Sequence, residues 1–185
     1  MISAENNEPV ISQEQLIFAA GMALIRLQLL ENVVKLCCSF MAVDEKEATL
    51  EDLFSEDRKR RHYTLGQVIR LLKKPTHFKE SFISRLGAFV HSRNKLIHNL
   101  WLENRIYSPD ERVSHDTYSH VSKFLDDLNE ETIYMTRIFI GFNYSIGAYV
   151  AEQEGRLVQL ESDPEYTGMK EYAPLFLSVV EVENE

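Results

Sequence analysis

Residues 78–102 read FKESFISRLGAFVHSRNKLIHNLWL, and the apolar positions in this stretch recur every three or four residues. That spacing is the period of one helix face, so it predicts a helix with one side buried in a core. Its apolar positions are Phe82, Leu86, Phe89, Val90, Leu96, Ile97, Leu100 and Trp101. The second half of this helix carries Arg93-Asn94-Lys95-Leu96-Ile97-His98, which combines a phosphate-binding cation with an imidazole that can transfer a proton.

Two longer stretches with the same period lie on either side of this helix. The first, at about residues 13–42, predicts a long amphipathic helix, and the second predicts another that ends near Gly155. Between the two, the tetrapeptide TLGQ at residues 64–67 has the form of a capping box for a further helix. The polar segment 103–114 predicts a loop. These patterns predict an all-α fold, an up-and-down bundle of four to five helices.

The C-terminal part of the chain has a different pattern. Residues 157–160 and 175–182 have strand-like composition, but Pro164, Gly168 and Pro174 interrupt the interval between them. We therefore predict one domain over residues 1–185, with a core of about 13–155 and a short irregular or strand-like extension at 156–185. The extension either packs on the core or forms a small hairpin.

Composition indicates a globular protein, since 44% of the 185 residues are hydrophobic and 26% are charged. Cys37 and Cys38 are adjacent within an apolar helical pattern, which indicates small core residues in a reducing compartment. Residues 1–9 are polar and acidic, and no uninterrupted run of about 18 apolar residues follows. We expect a soluble cytoplasmic protein without a membrane partner. No metal-ligand spacing or Gly-rich phosphate loop occurs, so we expect neither a metal nor a cofactor.

Charge is strongly segregated along the chain. Residues 58–98 contain 11 of the 20 Lys and Arg residues and one acid, Glu80, although the whole chain has a net charge of −9. Such a local basic surface is typical of proteins that bind a polyanion, so RNA is the predicted partner. The candidate RNA-binding residues are Arg58, Lys59, Arg60, Arg61 and Lys95. A solvated linker run is the alternative interpretation of the cluster at 58–61.

The helical period also constrains the motif. Asn94 and His98 are one turn apart and share a face, whereas Arg93 and His98 are separated by roughly 140° in a regular helix. Arg93 falls within the apolar stripe, where a charge requires a partner, a cleft or a subunit interface. A two-fold dimer or a helix that bends near the motif would let both side chains reach one phosphate. His91 lies beside this motif, on either a substrate groove or a solvated face.

Arg-Asn-x-x-x-His late on a core helix, after a long first helix and a TLGQ helix, resembles the HEPN superfamily (higher eukaryotes and prokaryotes nucleotide-binding). The resemblance covers about residues 13–150. It implies a helical bundle that forms a homodimer through the motif helix. It further implies a metal-independent endoribonuclease, a toxin or antiviral-defence effector, with Arg93 and His98 catalytic and Asn94 supporting them.

An antitoxin or another regulatory protein is a further partner that the resemblance implies. Members neutralised by a nucleotidyltransferase antitoxin tend to carry a Tyr two residues after the His, and this chain has Leu100 there. Two alternatives to the nuclease remain open at this point. One is a non-catalytic HEPN interaction or nucleotide- or RNA-binding module that regulates a partner protein, and the other is a purely structural helical subunit.

Overall fold

The structure, a computed structural model, describes residues 11–41, 78–104, 112–155 and 157–181. The described part of the chain is almost entirely helical, which confirms the predicted all-α bundle. The larger elements are α1 (Gln13–Met41), α2 (Glu80–Asn94), a π-helical turn (Lys95–Asn99), α3 (Leu100–Glu103) and α4 (His115–Gln153). The smaller elements are α5 (Leu157–Glu161), α6 (Pro164–Lys170), α7 (Ala173–Leu177), β1 (Ile11–Ser12) and β2 (Arg112–Val113).

The two long helices, α1 and α4, lie side by side and run in the same direction. Arg26 of α1 donates a hydrogen bond to the Oδ1 atom of Asn129 of α4. Further along both helices, the Cys37 thiol donates to the Phe139 carbonyl oxygen at 3.5 Å. Cys37 is buried, as predicted for a small core residue, whereas the side chain of Cys38 lies outside the described residues.

Helix α2 runs antiparallel to α4. Arg85, early in α2, pairs with Glu131 of α4, whereas Lys95, after the end of α2, lies over the ring of Phe124, which comes earlier in α4. The predicted apolar stripes of α1 and of residues 80–103 are buried in the core, together with apolar residues of α4. The buried members of these stripes are Leu16, Ala20, Ala23, Leu27, Leu30, Val34, Cys37, Phe82, Leu86, Phe89, Leu96 and Leu100.

A short antiparallel pair, β1 with β2, joins the starts of α1 and α4, with Ile11 opposite Val113. Residues 112–113 lie in the segment predicted to be a loop, because a two-residue strand is too short to show an alternating pattern. Ser114 then begins α4, and its hydroxyl accepts a hydrogen bond from the Thr117 backbone N–H at 3.2 Å. After α4, Gly155 has a φ of 67°, a left-handed conformation that ends helices and favours glycine.

The C-terminal extension is packed on the core, but its described residues form three short helices rather than a hairpin. The strand-like composition of residues 157–160 and 175–177 was therefore misleading, because these residues are helical. Pro164 is the first residue of α6 and Pro174 lies in the first turn of α7, where a proline removes no helical hydrogen bond. The prolines that appeared to interrupt the extension instead begin helices. Among the described residues of the extension, Val180 forms an isolated antiparallel bridge with Phe78.

Contacts along α4 hold this extension in place. The hydroxyl of Tyr166 donates to the carbonyl oxygen of Tyr144 at 2.8 Å, and the two rings lie 4.5 Å apart. Burial, with smaller effects from Tyr144 and Glu161, raises the pKa of the Tyr166 hydroxyl to about 12, so it remains a donor at neutral pH. Gly141 lies so close to the Tyr172 carbonyl that an added Cβ would overlap it.

Helix α1 is also long and apolar enough to cross a membrane. The segment Gln13–Cys37 reaches a mean hydropathy of 1.5, although the core helix of a soluble protein passes the same test. Two polar side chains within α1, Arg26 and Glu31, make contacts inside the bundle, with Asn129 and Arg93 respectively. These contacts favour the core role of α1.

Candidate functional site

The motif lies at a π-helical turn, Lys95–Asn99, which interrupts the otherwise α-helical residues 80–103. The Leu100 backbone N–H donates to the Lys95 carbonyl, five residues earlier, instead of four as in an α-helix. One extra residue per turn lowers the rotation per residue below about 100°. The angle between Arg93 and His98 around the helix is therefore smaller than the roughly 140° of a regular helix.

Arg93 is half-buried and is held by an acid on α1. Its Nη2 and Nε atoms donate to the Oε1 atom of Glu31 at 2.6 Å and 3.2 Å. Its Nη1 donates to Oδ1 of Asn94 at 3.0 Å. The side chains of Arg93 and Glu31 are only 19% and 18% exposed. The charge that the sequence places in the apolar stripe thus has the partner that its position requires.

A cleft of about 400 Å³ runs beside the motif on the outer side of the helix. We call this cleft the motif groove, and it is lined by His91, Asn94, Lys95, His98, Asn99 and Glu103. His91, Asn94 and His98 are all exposed in it. Arg93 does not line the groove, but its side chain is hydrogen-bonded to Asn94, which does.

Lys95 contributes a positive charge to the lining of this groove. Its Nζ atom lies 3.3 Å from a carboxylate oxygen of Glu103 and 5.5 Å from the centre of the Phe124 ring. The ammonium group is therefore oriented from two sides, by an ion pair and by a cation–π contact. Glu103 partly offsets its charge, so a phosphate that enters the groove competes with this carboxylate for Lys95.

The predicted site residues thus fall into three groups. Asn94, Lys95 and His98 lie together in the motif groove. Arg93 is connected to them through its hydrogen bond to Asn94. The third group, which lies outside the described residues together with the predicted TLGQ helix, consists of Arg58, Lys59, Arg60 and Arg61. Sequence reasoning missed Glu31 and Glu103. Glu103 had no signal, since it lies eight residues after Lys95, beyond the three or four residues that separate paired side chains on a helix, and in the segment predicted to be a loop. Glu31 had none beyond its place in α1.

A second cleft, of about 320 Å³, lies between α2 and α4 and is lined partly by Arg85, Phe124, Asp127 and Glu131. Arg85 fills its polar side with two hydrogen bonds to Glu131, of 2.6 Å and 2.8 Å, and stacks on the Tyr134 ring at 3.7 Å. In this cleft the charge of Arg85 is therefore paired with that of Glu131. Within the described ranges, no group of three or more His, Cys, Asp or Glu side chains is arranged to hold a metal ion.

Comparison of the chain with protein-family models, with curated proteins and with solved structures gave no match. The resemblance to HEPN proteins therefore rests on the motif and on the order of the helices.

The ion pair between Arg93 and Glu31 leads to a stability prediction. The variant Glu31→Gln leaves a half-buried guanidinium without its counter-charge, so we expect it to lower the free energy of unfolding by about 1–2 kcal/mol. Urea denaturation monitored by circular dichroism measures this. Glu161→Gln is the matched control, because Glu161 and its partner Lys170 are 43% and 58% exposed and such exposed pairs contribute less than about 1 kcal/mol. Equal losses in the two variants would contradict a special role for the Arg93 pair.

Proposed function

We propose that the protein is a metal-independent endoribonuclease of the HEPN type whose active site is the motif groove. The observation that carries this proposal is the π-helical turn at Lys95–Asn99. Such turns are rare and occur often at functional sites, because they are tolerated only where the surrounding structure holds them. This one lies within the Arg93–His98 motif and adjoins an exposed histidine, an amide and a lysine in one cleft.

The chemistry of the groove fits RNA cleavage by the 2′-hydroxyl. One imidazole takes the 2′-hydroxyl proton as the oxygen attacks phosphorus, and a protonated imidazole donates to the leaving 5′-oxygen. The products are a 2′,3′-cyclic phosphate and a 5′-hydroxyl, and the reaction needs no metal or redox partner. Lys95 and Arg93 are the cations proposed to stabilise the negative charge on the phosphate oxygens, and the Asn94 amide, which accepts a hydrogen bond from Arg93, orients that guanidinium.

The HEPN resemblance further implies a homodimer through the motif helix, in which Arg93 and His98 of both protomers act on one RNA backbone. A toxin or antiviral-defence effector in the cytoplasm, controlled by an antitoxin or another protein, is the biological setting that fits such an activity. The basic residues Arg58, Lys59, Arg60 and Arg61 would extend the RNA-binding surface.

A second candidate is a non-catalytic HEPN module that binds RNA, a nucleotide or a partner protein and regulates that partner. The ion pair of Arg93 with Glu31 favours it, because an arginine neutralised inside the bundle has a structural role of its own. The two candidates differ in turnover, since the module binds RNA and does not cut it.

The proposed activity is tested with purified protein and a pool of structured RNAs in EDTA. We expect cleavage that leaves cyclic phosphate ends, and we expect no cleavage at a position where the 2′-hydroxyl is replaced by hydrogen. Cleavage of the 2′-deoxy position would exclude attack by the 2′-hydroxyl. Binding of RNA without any cleavage would favour the module.

The carboxylate of Glu103 leads to a prediction on RNA affinity. Glu103→Gln removes a negative charge from the groove and releases Lys95, so we expect RNA to bind about two- to fivefold more tightly at low salt, with a smaller gain at high salt. Fluorescence anisotropy with labelled RNA measures the change. The control is Glu152→Gln, an exposed acid near the end of α4. A similar gain in both variants would show that net charge, rather than the groove, controls affinity.

A further inference from the structure

Among the described residues that line the motif groove, His91 is the imidazole outside the Arg93–His98 motif. We propose that His91 is the second proton-transfer residue of this groove, so that a single protomer holds both the base and the acid for RNA cleavage. This inference rests on the ribonuclease activity proposed above. It differs from a composite site in supplying the second imidazole from the same chain, in place of His98 of a second protomer.

The positions of the two histidines fit this division of labour. His91 and His98 are seven residues apart, which is about 10 Å along a helix, and both side chains are exposed to the same cleft. Asn94 and Lys95 lie between them in the sequence and line the same cleft. The cleft therefore offers a bound phosphate two imidazoles, and the reaction needs two such groups because its attacking and leaving oxygens are on opposite sides of phosphorus.

The step balances with these two groups alone. The neutral imidazole accepts the 2′-hydroxyl proton while the bond from the 2′-oxygen to phosphorus forms. The bond from phosphorus to the 5′-oxygen breaks, and that oxygen takes its proton from the protonated imidazole of the other histidine. Each turnover leaves the two histidines with exchanged protonation states, which solvent restores.

Among the described residues that line the groove, the two histidines are the best candidates for proton transfer. The charged side chains that line it besides the imidazoles are Lys95 and Glu103, which are paired with each other. Arg93 is turned towards Glu31 and has no proton to transfer near neutral pH, because its guanidinium is always charged. His91 and His98 are thus the described lining residues that carry an imidazole, the side chain that most often serves as general acid or base.

The test uses two substrates, an RNA oligonucleotide and a ribonucleoside 3′-phosphate ester of p-nitrophenol. The nitrophenolate leaves without help from an acid, so loss of the acid slows cleavage of RNA and spares the ester. We expect His91→Ala and His98→Ala each to slow RNA cleavage by about 100-fold or more, and one of the two to keep near wild-type activity on the ester. Loss of a structural residue would slow both substrates equally. His120→Ala, an exposed histidine of α4, is the control and should match wild type on both.

A mixture of the two inactive variants distinguishes an active site within one protomer from a site shared between two protomers. If both imidazoles act within one chain, a mixture of His91→Ala and His98→Ala stays inactive, because no chain carries both. Recovered activity in the mixture would overturn the single-protomer site.

The other outcomes separate this inference from the proposed function. Wild-type RNA cleavage by His91→Ala, with loss in His98→Ala, would overturn the role of His91 and leave the ribonuclease in place. Equal slowing of the RNA and the ester in both histidine variants would also overturn it. Absence of cleavage by the wild-type protein on either substrate would overturn both.

Discussion

His98→Ala is expected to lower the rate of RNA cleavage by about 10²- to 10⁴-fold, the usual contribution of one general acid or base, without a change in fold. The side chain is exposed in the motif groove and is not part of the buried core, so its truncation removes chemistry without removing packing. The measurement is the initial rate on the most rapidly cut RNA in EDTA, with circular dichroism and urea denaturation as checks of the fold.

Arg93→Ala is the necessary companion to this variant. We expect it also to slow cleavage by about 10²-fold or more, if the guanidinium holds the phosphate, and to lower stability because Glu31 loses its partner. The double variant Arg93→Ala with Glu31→Ala removes both charges and restores part of the stability but none of the activity. Equal activity in wild type, His98→Ala and Arg93→Ala would point to a contaminating nuclease and would remove the catalytic assignment.

Gly141→Ala is expected to lower the free energy of unfolding by about 3 kcal/mol, at the upper end of the usual cost of overpacking. The added Cβ would overlap the carbonyl group of Tyr172, and a backbone group cannot turn aside as the end of a long side chain can. Relief requires the segment around Tyr172 to move away from α4. We therefore expect faster hydrogen exchange across residues 157–181 as well as a lower urea midpoint.

The matched control is Gly87→Ala, at an exposed position of α2 where an added Cβ meets nothing within 4 Å. Alanine is favoured over glycine in a helix interior, so this variant should be more stable than wild type by about 0.5–1 kcal/mol. Opposite signs in two glycine variants separate the effect of close approach from that of helix propensity. A Gly141→Ala protein as stable as wild type would mean that the extension does not rest on α4 at this point.

Apolar periodicity predicted the long helices closely. The predicted helix at 13–42 is observed at Gln13–Met41, and the predicted end near Gly155 agrees with a helix that ends at Gln153. These stretches carry a stripe repeated over many turns, so local and tertiary preferences agree. The extension lacks such repetition, and contacts with α4 determine its structure instead.

The candidate site was predictable in its composition and less so in its geometry. The position of Arg93 in an apolar stripe required a partner, but only the tertiary structure identifies Glu31, which is 62 residues away in the chain. The π-helical turn leaves no mark in the sequence, because Phe89 before Arg93 and Leu96 and Leu100 after it keep the spacing of the stripe. His91 lay beside the motif with two open interpretations, and the structure places it in the same cleft as His98.

The π-helical turn also affects how such a motif can change during evolution. A π turn holds one residue more than an α turn, so a chain with one residue fewer between Arg and His could present both side chains in nearly the same places from a regular helix. Insertion or deletion of one residue at this point would then change the helix within one turn and leave the rest of it in place. The distance in sequence between Arg and His is therefore a weaker signature of this site than the face on which the two side chains lie.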